Sequence, residues 1–174
     1  KGKATNEIKG DPKQALQYYS KGCEKGDADC CLHSGLIMVS KSKQTQIQRD
    51  VVKGMESLKK SCSMDNGNAC FYLSGMFISG VFKKEKPEER PKNPQPSDFI
   101  IQKDMKLAFD FATKACDLNN MYACANLAQM YMRGDGTEKN EKKGEQLKKK
   151  ALEMQEQVKK QQAEVKFQQG LGNV

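Results

Sequence analysis

The chain has 174 residues, of which 37% are apolar, 7% aromatic and 30% charged, and it contains no Trp. That is too little large apolar volume for one deep globular core and too much for a disordered chain, which leaves a thin, elongated core. The net charge of +8 is interleaved with Glu and has no aromatic or Arg-rich reading face beside it, so it predicts a solvated surface and not nucleic-acid binding.

No stretch reaches the roughly 20 apolar residues that cross a bilayer, and no secretory apolar region opens the chain. The first residue is Lys1 and not Met, so further sequence upstream is expected. The usage of Ala, Lys, Gln, Leu, Met and Glu, with no run of alternating β-branched residues, predicts an all-α chain.

The first predicted unit covers about residues 12–40. Ala15, Tyr18, Tyr19, Gly22 and Cys23 share one helical stripe, Gly26-Asp27 breaks the helix, and a second apolar helix follows from Leu32 to Val39. The second unit, about 49–80, repeats the pattern. Gly54, Ser57, Leu58, Ser61 and Cys62 form its stripe, Asp65-Asn66-Gly67 its turn, and Phe71 to Ile78 its second helix, with Gly80 at the end. Residues 83–98 hold four of the five prolines and predict an exposed loop inserted into the stack, not a domain boundary. The third unit, about 103–134, carries Ala108, Phe111, Ala112, Ala115 and Cys116, then Asn119-Asn120, then Ala125 to Met132 and Gly134. A fourth helix, about 139–167, places Gly144, Leu147, Lys150, Ala151 and Leu152 on the same template. Leu152 stands where the cysteine would be, and the other face is polar, as a terminal cap requires. Residues 168–174 are expected to be a flexible tail. In each unit a small residue stands eight places before the first cysteine and a Lys two places before it: Lys21, Lys60 and Lys114. The expected architecture is a single α-α superhelix (solenoid) over 11–167, made of disulfide-stapled helix hairpins with a long capping helix at the carboxyl end.

A second cysteine follows the first by eight residues each time, across the turn, where antiparallel helix ends approach within disulfide range. This spacing predicts Cys23–Cys31, Cys62–Cys70 and Cys116–Cys124, each worth roughly 2 to 3 kcal/mol on the chain-entropy model. Cys30 is left over. Ser34-Gly35-Leu36 matches Ser74-Gly75-Met76 only if Cys30 takes the place of Cys70, whereas Cys31 keeps the common spacing, and the spacing favours Cys31. Cys30 is then a free thiol, buried or reactive. Disulfides point to an oxidising compartment. The chain has no C-x-x-C pair, which argues against structural zinc and against redox catalysis.

His33 is the only histidine and, with a methionine, is the one candidate haem ligand. Met38, Met76 and Met130 fall where the stack needs core filler. No G-x-S-x-G, Ser-x-x-Lys, P-loop or G-x-G-x-x-G motif points to an enzyme, and Gly134-Asp135-Gly136 reads as a turn between units.

Lys114-Ala-Cys-Asp-Leu118, Ala123-Cys-Ala-Asn-Leu127, Met130-Tyr131 and Gly134-Asp-Gly136 resemble the Sel-like repeat, a relative of the tetratricopeptide repeat, over about Asp11 to Gln162 with the insertion excepted. The cysteine-paired form occurs in mitochondrial assembly factors for cytochrome c oxidase and in secreted cysteine-rich repeat proteins of Helicobacter. The order of the last cysteine pair, the Gly-Asp-Gly turn and a long Lys/Glu/Gln-rich final helix resembles the assembly factors. The resemblance implies a curved α-α solenoid in the mitochondrial intermembrane space that supports assembly of the terminal oxidase, with more repeats than are present here. Thiol-disulfide, haem or copper roles attached to that group carry over only to Cys30 and His33. A secreted or periplasmic protein that binds cell-wall fragments is the alternative.

The expected function is therefore a monomeric, non-enzymatic scaffold that binds other proteins, respiratory-chain assembly components among them. Its groove is expected on the second helices, lined by those of Met38, Met76, Phe77, Met130 and Tyr131 that the stack does not bury.

Overall fold

The computed structural model describes residues 11–40, 47–84 and 86–171. Among them the chain forms α1 (Pro12–Glu24), α2 (Ala28–Val39), α3 (Val51–Ser63), α4 (Gly67–Ser79), β1 (Val81–Phe82), β2 (Phe99–Ile101), α5 (Met105–Asp117), α6 (Met121–Arg133) and α7 (Glu141–Leu171). Two compact units divide these elements: α1 to α3 in one, and α4 to α7 with both strands in the other.

Helix starts follow one chemical rule. Asp11, Asp27, Asp50, Asp104, Asn120 and Asn140 each accept a hydrogen bond from a backbone N–H in the first turn, at 2.7 to 3.0 Å. Each cap satisfies one of the donors that a helix start leaves open. Turns between paired helices follow a second rule. The residue three places after the first cysteine, Gly26, Asp65 or Asn119, has positive φ of 89°, 61° and 61°. Gly, Asp and Asn are the residues that tolerate that conformation.

In the first unit, α2 packs on both α1 and α3. A Cβ on Gly35 would lie 2.8 Å from the Gly54 carbonyl oxygen, so the two glycines let α2 and α3 cross almost backbone to backbone. Leu58 is fully buried there, and Ser61 Oγ donates to the Ala28 carbonyl at 2.7 Å. In the second unit, α4 packs on α5, α5 on α6 and α6 on α7. Ser74 Oγ donates to the Ala108 carbonyl at 2.9 Å, and a Cβ on Gly144 would stand 3.0 Å from the Ala128 carbonyl oxygen. The small residue eight places before the first-cysteine position thus meets the preceding helix four places after its cysteine, at Gly35, Ser74 and Ala128. The core is accordingly built from Ala, Cys and Ser with a few Leu.

Two features depart from expectation. An antiparallel ribbon, which an all-α reading does not expect, closes the base of the proline-rich insertion from just outside residues 83–98: β1 and β2 pair Val81 with Ile101 and Phe82 with Phe99. The Phe82 and Phe99 rings lie 4.3 Å apart and Ile101 is buried. Strands of two and three residues are too short to show alternation in a sequence. The last helix, expected to end near Phe167, runs on to Leu171. Its packed part is short, since every side chain from Gln155 to Lys166 is exposed.

Candidate functional site

Disulfides join Cys23 to Cys31 and Cys116 to Cys124, with Cα–Cα distances of 4.4 and 4.6 Å. Cys62 and Cys70 are disulfide-bonded as well. Each bridged cysteine is buried. The pairing of Cys31 leaves Cys30 one place earlier on α2, at the position of Ala69 in α4 and Ala123 in α6. A thiol is larger than a methyl group, and α1 makes room for it. The residue before the first cysteine is Ser61 or Ala115 elsewhere but Gly22 here, and a Cβ on Gly22 would sit 2.7 Å from Cys30 Cβ and closer still to its Sγ. Cys30 is half-buried.

Burial raises the Cys30 thiol above its ordinary pKa, and a hydrogen bond and the negative charge of Asp27, with the charge of Asp29, push in the same direction. The same contact lowers the Asp27 carboxyl, chiefly because the Cys30 backbone N–H donates to it. A nucleophilic or metal-binding cysteine needs the opposite shift, toward thiolate at neutral pH. His33 is exposed on α2, with its ring 4.9 Å from that of Tyr19. Among the described residues no group of three or more His, Cys, Asp or Glu is placed to hold a metal ion.

The lysine two places before the first-cysteine position has a structural task that the sequence marks but does not explain. Lys60 Nζ on α3 donates to the Cys23 carbonyl oxygen at the end of α1, at 2.6 Å. Lys150 Nζ on α7 donates to the Cys116 carbonyl oxygen at the end of α5, at 3.3 Å. A cation there meets the open carbonyls and the negative end of the helix dipole of the preceding repeat.

Burial narrows the list of expected groove residues to three. Phe77 is buried and its ring stacks on Phe111 at 5.8 Å, and Met130 is buried too. Their place on α4 and α6 faces neighbouring helices rather than solvent, so they serve the core. Met38, Met76 and Tyr131 are half-buried. Tyr131 packs edge-on against Phe109 at 5.3 Å with the Lys143 ammonium over its ring. A different concavity lies between α6 and α7, with a volume of about 220 Å³, lined by Met121, Tyr122, Ala125, Ala151, Leu152 and Gln155 among others. Tyr122 and Leu152 stand 61% and 54% exposed at its rim. The sequence signal for it was Leu152 in a cysteine's place.

Paired helices, a buried cysteine bridge across each turn and repeat-to-repeat lysines define a disulfide-stapled α-α repeat protein. Comparison with known proteins agrees. A family model described as the Sel1 repeat matches residues 1–27, 97–120 and 122–155. A Sel1 repeat protein from Oxalobacter formigenes superimposes with a TM-score of 0.63 at 17% identity, covering 83% of this chain and 50% of that one, a likeness of fold alone. Helicobacter pylori cysteine rich protein B gives a TM-score of 0.57 at 29% identity, covering 86% and 92%. The cytochrome c oxidase assembly factor 7 homolog of Drosophila melanogaster is 55% identical over 185 residues, covering 98% of this chain and 70% of its own length. Cytochrome c oxidase assembly factor 7 of Xenopus tropicalis is 33% identical, covering 83% of this chain and 56% of its own length. The chain belongs to the cytochrome c oxidase assembly factor 7 family of Sel1-repeat proteins. It spans only part of these relatives' length.

Proposed function

We propose that the chain is a protein-binding helical-repeat scaffold that supports assembly of cytochrome c oxidase in the mitochondrion, on the intermembrane-space side where disulfides persist. The observation that carries this reading is the 55% identity across nearly the whole chain to a relative named for that role. The structure supports it in physical terms. Stacked hairpins offer extended surfaces to protein partners, and the disulfides hold that framework where the core itself is thin. The redox alternative would need a thiolate at neutral pH, and burial together with Asp27 and Asp29 moves Cys30 away from it.

The test is replacement in cells. In Drosophila cells depleted of their own relative, a chimera carrying this chain in place of the matching segment should restore assembled oxidase on native gels and oxygen consumption. A chimera that folds and accumulates but leaves the oxidase unassembled would overturn the reading.

A further inference from the structure

The cap helix repeats the first-helix template of the units before it, and among the described residues no second helix pairs with it. On α5 the positions of Ala112, Ala115 and Cys116 are all buried, and α6 covers them. The same template positions on α7 are Lys148, Ala151 and Leu152. Ala151 is buried by α6, but Lys148 and Leu152 are exposed. The concavity beside Leu152, lined by Ala125 and Ala151 among others, is therefore a helix position on α6 and α7 that no described residue fills.

The face also continues. Leu152, Gln155, Val158, Gln162 and Val165 recur at three- and four-residue spacing, so they share one side of α7. Leu152, Val158 and Val165 are all exposed, and further shallow concavities lie along this half of the helix. Lys148 and Lys166 bracket the stripe, about 27 Å apart at 1.5 Å per residue. Lys149 and Lys159 have glutamate partners on the helix itself, Glu153 and Glu156. Lys148 and Lys166 have no ion-pair partner among the described residues.

This charge pattern selects the occupant. A second copy pairing through α7 would set lysine against lysine in either orientation: Lys148 on Lys148 when parallel, Lys148 on Lys166 when antiparallel. Like charges brought together in that way disfavour self-association. We propose that this face of α7 docks an amphipathic helix of a partner protein, one whose apolar stripe carries an acidic residue toward each end. Such a helix would seat its apolar side chains between Leu152 and Tyr122 and along Val158 and Val165, in the helix-in-groove manner. The proposal rests on the protein-binding reading but not on the oxidase role.

The probe is a fluorescein-labelled peptide of about 22 residues with Leu at helical three- and four-residue spacing and two Glu about 18 residues apart, matched to the lysine separation. Fluorescence anisotropy at low salt should show saturable binding. The same peptide with Lys for both Glu should bind at least about tenfold more weakly, since two exposed ion pairs become two repulsions. Leu152→Glu and Val158→Glu should each weaken binding of the acidic peptide about tenfold while leaving the helical circular-dichroism signal unchanged, because both side chains are exposed. Equal binding of the two peptides, no binding of either, or full binding by both variants would overturn the proposal. So would a concentration-dependent dimer in sedimentation that Val158→Glu abolishes, which would assign the face to self-association. Oxidase assembly does not enter this assay, so its outcome is separate from that of the replacement experiment.

Discussion

Replacing Lys60 by Met removes an ammonium group and keeps most of the apolar stem. Lys60 Nζ lies 2.6 Å from the Cys23 carbonyl, which also accepts from the Gly26 backbone N–H at 3.1 Å. The substitution therefore leaves that carbonyl with backbone partners alone, at the negative end of α1. Hydrogen bonds to charged groups contribute about 1.5 to 3 kcal/mol. Lys60 is exposed to solvent, so screening places the expected loss near the low end, about 1 to 1.5 kcal/mol. Lys150→Met, with a longer bond of 3.3 Å, should lose less, about 0.5 to 1 kcal/mol. Because the chain has no Trp, urea unfolding is best followed by circular dichroism at the helix band. The midpoint should fall with the slope unchanged. Lys59→Met, at the exposed neighbouring position, is the control and should stay within about 0.5 kcal/mol of the parent. If Lys60→Met behaved like Lys59→Met, the lysine would be surface charge and not a link between repeats.

Gly22→Ala should destabilise by about 1 to 3 kcal/mol, because its Cβ would overlap Cys30. Adding Cys30→Ala should recover only part of that loss in urea melts, since the clash with the Cβ of residue 30 at 2.7 Å persists. Cys30 should alkylate slowly at neutral pH and faster as pH rises past the ordinary thiol range. Asp27→Asn keeps a capping side chain but removes the charge, so it should raise the neutral-pH rate, read by mass spectrometry; an unchanged rate would contradict the assigned cause. Asp27 itself has a lowered folded-state pKa, so its stabilisation is present above the unfolded carboxylate value and is lost as pH falls through the folded one. The fall in melting temperature below about pH 4 should accordingly be smaller in Asp27→Asn than in the parent. Removing one bridge with Cys116→Ala and Cys124→Ala together should cost about 2.5 kcal/mol on the chain-entropy estimate for so short a loop, measured under non-reducing conditions.

The all-α repeat was legible because three residue types at fixed offsets suffice to write it: a small residue, a lysine and a cysteine, followed by a breaker. Its polar details were partly legible. The lysine recurs visibly, but a side chain that reaches the preceding repeat's carbonyl is a relation between elements, which spacing along one helix does not display. The choice between Cys30 and Cys31 was legible from the common spacing, but the room that Gly22 leaves for the Cys30 side chain is a relation between two helices. Which of the expected groove residues the stack buries was not legible for a related reason. Phe77 and Met130 are as apolar as any groove lining, and only the packing of neighbouring helices, such as Phe111 of α5 on Phe77, decides that they are interior. The ribbon of Val81–Phe82 and Phe99–Ile101 gave no periodic signal because its strands are so short, and its two halves lie on opposite sides of the prolines.

The bridges that the structure joins, 23 to 31 and 116 to 124, each close within a single hairpin. Oxidation of such a chain requires no distant thiol to be found, so the correct partner is also the nearest in sequence and ring closure is fast. Hairpins can mature one at a time, and a locked hairpin removes two thiols from the pool that could be mismatched later. A length change elsewhere, the proline-rich insertion included, leaves that local chemistry untouched, which is why a repeat protein of this kind can gain or lose units and loops without relearning how to oxidise.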